Sequence, residues 1–180
     1  MRCIRLLAAM AMVFLMTGCD VRSLYPLYTE KDVIFDPGLL GFWQQADEGD
    51  HVWVCLRDKE NSYRVVSAAE GVVFDGRLLR LGARLYLDLT PVEVPNAQYG
   101  TIPGHLFLQI ELSKDRMRTA MLNVDRLKKL EESGGLKLGH MTADVLTALP
   151  KELQAFVTQH ADDGTAFTPF KEFARIDLMR

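Results

Sequence analysis

The sequence is poor in the residues that most readily declare a function. Three cysteines and two tryptophans are spread over 180 residues. The four histidines, His51, His105, His140 and His160, stand far apart. No His-x-x-x-His or Cys-x-x-Cys spacing occurs, so no local stretch supplies the ligand set of a zinc ion. A Gly-x-Ser-x-Gly elbow, a Walker loop and a Gly-x-Gly-x-x-Gly fingerprint are also missing, which removes the usual local marks of serine hydrolases, P-loop enzymes and dinucleotide binders. Asp162-Asp163-Gly164 lacks the further spaced oxygens of a calcium loop. Positive charge is not in excess: 21 basic against 24 acidic side chains give a net charge of -3. The pI near 5.8 leaves no basic footprint for a nucleic acid. No catalytic or metal-ligating set is expected, and the chain reads as a non-enzymatic module.

Long apolar runs are equally scarce. Residues 6–16 form one of eleven residues, preceded by Arg2 and Arg5 and by no acid. A membrane-spanning helix needs about 20 apolar residues, so this pattern reads as an export signal over 1–18. The following Met16, Thr17, Gly18 and Cys19 resemble the lipobox of bacterial lipoproteins, with Met16 in place of the usual Leu. The resemblance implies cleavage between Gly18 and Cys19, diacylglycerol on the Cys19 sulfur and, in many bacteria, an N-acyl chain on the new amino group. No other cofactor is expected. Two or three acyl chains hold a protein at a bilayer where a single one binds only marginally. Residues 19–180 retain 19 basic and 24 acidic side chains, a charge of -5. The lipid rather than a basic patch is therefore the expected membrane contact. Asp20 resembles the enteric signal for retention at the inner membrane, with the outer membrane as the alternative. With Cys3 removed and Cys19 acylated, Cys55 has no partner for an intramolecular disulfide and reads as a small buried hydrophobe.

After a leader over 19–36, turn residues punctuate short alternating runs. In 51–57, Val52, Val54 and Leu56 oppose His51, Trp53, Cys55 and Arg57. Leu85, Leu87 and Leu89 likewise oppose Tyr86 and Asp88. Strands are predicted over 41–45, 51–57, 62–69, 72–74, 77–81, 84–89, 105–113 and 116–122, with turns at Asp75-Gly76, Gly82-Ala83 and Lys114-Asp115. Residues 90–104 hold three prolines and two glycines and read as the longest loop. The period then changes. Asn123 can cap a helix ending at Ser133-Gly134-Gly135. Pro150 suits the first position of a second helix with a Leu153, Phe156 and Val157 stripe. Short strands are predicted at 137–140, 144–149 and 173–179. The expected fold is α+β: an antiparallel meander, an open or partly closed barrel, with two helices in the C-terminal third and one globular domain over 37–180.

Gly41-Phe42-Trp43, after Asp36-Pro37, resembles the Gly-x-Trp of lipocalins and related calycin barrels, where the Trp closes one barrel end and packs on a basic residue. A longer resemblance, to uncharacterised bacterial lipoproteins, rests on Pro26 to Asp32 and Asp36 to Trp43. It continues in Arg80-Leu81-Gly82, Tyr86 to Leu89, Pro103 to Phe107 and Glu152 to Phe156. That kinship brings no activity with it. Leu149-Pro150 departs from the capping Ser more usual there. Three readings follow. The first is an envelope lipoprotein that offers a sheet face, barrel mouth or loop to a protein partner. The second is a calycin-like binder of a small hydrophobic ligand, with Trp43, Trp53 and Tyr86 lining or closing a cavity. The third is a hydrolase assembled from dispersed residues. Asp88, a carboxylate between apolar neighbours, and His105 complete the candidate ligand-facing set. The plainer account of Asp88 is an outward side chain paired with Arg80 or Arg84.

Overall fold

The alternation of apolar and polar residues along each strand is resolved by curling the sheet until its first and last strands meet. The computed structural model describes residues 21–93, 104–133, 145–162 and 166–177. Cys19 and the lipobox, most of the 90–104 loop, His140 and the strand expected at 137–140 lie outside the described residues.

The strands are β1 (Arg22–Ser23), β2 (Val33–Ile34), β3 (Gly41–Gln45), β4 (Val52–Arg57), β5 (Ser62–Ser67), β6 (Val72–Leu81), β7 (Arg84–Glu93), β8 (Leu106–Leu112), β9 (Arg116–Met121), β10 (Val145–Leu146) and β11 (Lys171–Ile176). Two helices, α1 (Val124–Glu132) and α2 (Pro150–His160), stand between β9 and β11. From β3 to β9 each strand pairs antiparallel with the next. β11 then inserts between β9 and β3, and eight strands close into a barrel. β2 adds to the end of β6, where β5 no longer reaches.

Two expectations are corrected. Asp75-Gly76 is not a turn: β6 runs straight through it, and the chain reverses instead at residues 68–71. Gly76 faces the barrel interior, where an added Cβ would sit 3.3 Å from both Leu89 and Val65. The glycine thus lets two strands approach closely instead of turning one. β7 also extends to Glu93 and carries Pro91 inside it, opposite Phe74 and beside a register shift at Val73/Phe74. β8 pairs with β7 only as far as Leu89, so Pro91 withholds no ladder donor from that neighbour.

Side chains divide into two cores. Inside the barrel lie Trp43, Cys55, Tyr63, Val65, Leu78, Leu87, Leu89, Leu108, Ile110, Met117 and Phe173. The second core lies outside the wall, where Leu79, Tyr86, Phe107 and Ala120 meet Leu153, Phe156 and Val157 of α2, with Leu127 of α1. The leader belongs to this outer core, for Val21 and Leu27 are buried in it. β1 pairs parallel with β10, and Ser23 bridges to His105 through backbone bonds of 2.9 and 2.8 Å. Asn123 Oδ1 accepts from Arg126 N at 3.0 Å and caps α1. Leu149 at the start of α2 offers no side-chain acceptor, while its own N–H donates to Glu152 Oε2 at 2.9 Å.

Candidate functional site

One end of the barrel is sealed. Asp36 Oδ1 accepts from Gly38 N and starts a 3-10 turn over Pro37–Leu39 that crosses the barrel floor. Trp43 is fully buried above it and donates from Nε1 to the Leu39 carbonyl at 2.9 Å. The guanidinium of Arg175, on β11, lies 4.1 Å from the Trp43 ring centroid. It donates to the carbonyls of Gly38, Leu40 and Lys114. Gly41 has φ +126°, and a Cβ there would meet Arg175 Nη1 at 2.6 Å. The glycine two residues before the tryptophan therefore makes room for the cation that covers it. Phe35 stacks on Tyr63 at 5.1 Å and Arg57 lies over Phe35, completing the floor. Burial pushes the Tyr63 hydroxyl up to about 12. The Cys55 thiol is likewise pushed up to about 12 by burial, so it stays protonated and unreactive.

The opposite end is different. Trp53, Phe74, Leu106 and Met121 pack against the inner core yet remain only partly buried. Trp53 lies against Phe173 with centroids 5.3 Å apart. By alternation Gln45, Ser67 and Thr119 turn polar side chains into the same lumen, and all three are buried. A buried polar group is held by protein, water or a bound molecule. This end thus offers an apolar wall with a few polar groups, the composition of small-molecule sites.

Three of the candidate residues lie on the outer wall. Tyr86 points away from the lumen, covered by α2, with its hydroxyl donating to the Val157 carbonyl at 3.3 Å. The expectation that it lines the cavity is corrected: the leucines on either side of it take the inward positions. Asp88 is outward and buried, but its partner is neither Arg80 nor Arg84; Arg84 pairs with Asp162. Instead Asp88 Oδ1 meets His105 Nδ1 at 2.6 Å, and Oδ2 accepts from Leu27 N at 2.7 Å. Thr90 Oγ1 is 3.0 Å from the same His105 nitrogen. Burial raises the Asp88 pKa, while the bond to His105 works against that rise. The pair ties the leader to the barrel wall, a structural use of a buried carboxylate. Among the described residues no three His, Cys, Asp or Glu side chains gather as metal ligands.

A cleft of about 690 Å³ opens between the leader, the β6–β7 hairpin and α2. Lys31, Asp32, Arg80, Lys151, Gln154 and Thr158 line it. Several of these residues come from the segments that carry the lipoprotein resemblance. Gln154 Nε2 donates to the Leu27 carbonyl at 2.9 Å and to Asp32 Oδ2 at 2.8 Å. No part of the sequence pattern singled this cleft out, because its lining comes from three distant stretches.

The fold and these sites define an eight-stranded antiparallel barrel, plugged at one end and clasped on its outer wall by a leader and a helix. Neither a protein-family model, nor a curated protein, nor a solved structure matches the chain.

Proposed function

We propose that the protein is a non-enzymatic, calycin-like binding module of the bacterial envelope, held at the membrane by lipid on Cys19, whose barrel end opposite the plug takes a small hydrophobic ligand. One observation carries the reading. The barrel is closed and plugged by the Trp43–Arg175 stack, while Trp53, Phe74, Leu106 and Met121 at the other end stay partly exposed. The plug also has the arrangement that the Gly-x-Trp resemblance implies, a tryptophan closing the barrel against a basic residue. The lower lumen is filled by side chains, so the ligand sits in the mouth half. Its apolar part lies on Trp53 and Phe173, and a polar group faces Gln45, Ser67 or Thr119.

The test uses the full-length protein in mild detergent and the apolar dye 1-aminoanthracene. Binding should change the tryptophan emission, and Trp53→Phe should remove most of that change while Trp43→Phe leaves it. Native mass spectrometry should show a retained hydrophobe. An unchanged emission together with a uniformly ligand-free mass rejects the reading. The anchor is tested separately: Cys19→Ala should leave uncleaved precursor and abolish acyl labelling, and normal labelling of that variant removes the lipid from the proposal.

A further inference from the structure

The outer cleft carries an inference that does not depend on the ligand proposed for the barrel mouth. Each of its three walls supplies one cation: Lys31 from the leader, Arg80 from the end of β6 and Lys151 from the first turn of α2. All three side chains are exposed. Elsewhere on the surface four arginines pair with acids, Arg64 with Asp58, Arg77 with Asp75, Arg84 with Asp162 and Arg118 with Glu111. Among the described residues no ion pair joins Arg80 or Lys151 to an acid, while the Lys31 charge acts on Asp32 of the same cleft.

Asp32 is the one acid in the lining, and its charge is already engaged. Burial alone would raise its pKa, but hydrogen bonds from the Thr29 hydroxyl, the Gln154 amide and the Thr29 backbone outweigh that and hold it below the usual carboxylate range. The cleft therefore concentrates two net positive charges in a chain whose total is -3. Like charges gathered around one shallow, solvent-open depression raise the local concentration of anions. Gln154 is fixed by its two bonds, which sets the spacing between the leader and α2, and the Thr158 hydroxyl adds a donor one helical turn further on.

We infer that this cleft binds a phosphate-bearing small anion, with Lys31, Arg80 and Lys151 as its charged contacts. Arg80 presents a planar fork suited to two phosphate oxygens, and the lysines act as point charges on either side. A soluble phosphorylated metabolite and a lipid headgroup share this chemistry.

The experiment titrates the full-length, acylated protein in nonionic detergent by calorimetry with two probes, inorganic pyrophosphate and short-chain dihexanoyl-phosphatidylglycerol. At least one probe should bind saturably with one site per chain. Arg80→Gln and Lys151→Gln should each weaken that binding about tenfold, the worth of one charge-assisted hydrogen bond. Lys59→Gln and Lys114→Gln, which remove cations outside the cleft, should leave it unchanged. Tighter binding of pyrophosphate identifies a soluble anion, and tighter binding of the short-chain lipid identifies a headgroup. Unaltered thermal unfolding of the variants separates lost binding from lost fold. Absence of saturable binding by both probes overturns the inference, as does an equal loss with Lys59→Gln, which would mark diffuse surface attraction.

Discussion

Arg175 and Trp43 fasten the barrel floor, a cation held over a ring and donating to three backbone carbonyls. Arg175→Ala removes the cation–π contact and leaves the carbonyls of the floor turn without their donor, a loss of about 3 kcal/mol. Arg175→Lys should recover less than half of it, since an ammonium cannot bond several carbonyls while lying flat on indole. Urea unfolding of the two variants checks both values. Asp88 acts through charge. Its folded pKa is raised because burial disfavours the carboxylate, so the folded state holds the proton more tightly than the unfolded chain does. The corresponding stability is fully present below the unfolded value near 3.8 and is lost as pH rises through the raised one. Asp88→Asn keeps an acceptor for Leu27 N and cannot ionise. The stability of the wild type relative to this variant should therefore be lowest at pH 8 and grow as pH falls towards 4. A difference that is flat over that range, or runs the other way, refutes the assignment. Of these residues, Gly41 and Trp43 were legible in sequence through their spacing. Arg175 was not, because it lies 135 residues from the Leu40 carbonyl it bonds, and nothing local distinguishes it from other strand arginines. Asp88 and His105 were each visible, but only the adjacency of β7 and β8 joins them.

Among the elements, β3, β4 and β8 were read within a residue of their observed bounds, since a period of two leaves no other way to bury their alternate apolar residues together, while β7 was read correctly at its start and ended short of Glu93. β6 shows where that logic stops. Asp75-Gly76 has the composition of a tight turn, and only the neighbouring Val65 and Leu89 make the glycine a packing residue. The two-residue strands β1 and β2 carry no period at all and exist through their partners β10 and β6. For α2 the sequence announced both the helix and its weak point. Pro150 and Glu152 favour initiation, but Leu149 occupies the cap position with no side-chain bond and 55% exposure. Leu149→Asp supplies an acceptor to the first-turn N–H groups and removes an exposed apolar side chain. It should raise stability by about 1 kcal/mol, read as a higher midpoint in thermal unfolding with the barrel signal unchanged in shape. A lower midpoint would show that Leu149 makes a contact that its exposure conceals.

At the scale of the whole molecule, closure and clasping are separate tasks. β11 closes the ring after two helices have intervened, a connection no local pattern announces, so the meander was legible while the complete barrel was not. The clasp is the leader. Leu27 is fully buried between the wall and α2, its N–H donates to Asp88 Oδ2, and its carbonyl accepts from Gln154 Nε2. Without residues 21–32 the outer core loses Val21 and Leu27, Asp88 loses a donor, and Gln154 loses both its acceptors. Truncating one buried leucine alone costs about 2–5 kcal/mol, and the orphaned polar groups add to that. A chain beginning at Val21 should therefore unfold at the same urea concentration as one beginning at Cys19. A chain beginning at Val33 should lose at least about 3 kcal/mol, drawn mainly from the helical side. Amide exchange distinguishes the two layers. In the shorter chain the α2 amides should exchange much faster than those of β3 to β5, because the leader residues packed on the inner core, Ile34 and Phe35, are kept in it. Equal stability of the two truncations, or uniform acceleration across the barrel, would show that the leader is a passive tether, with α2 held by the barrel wall alone.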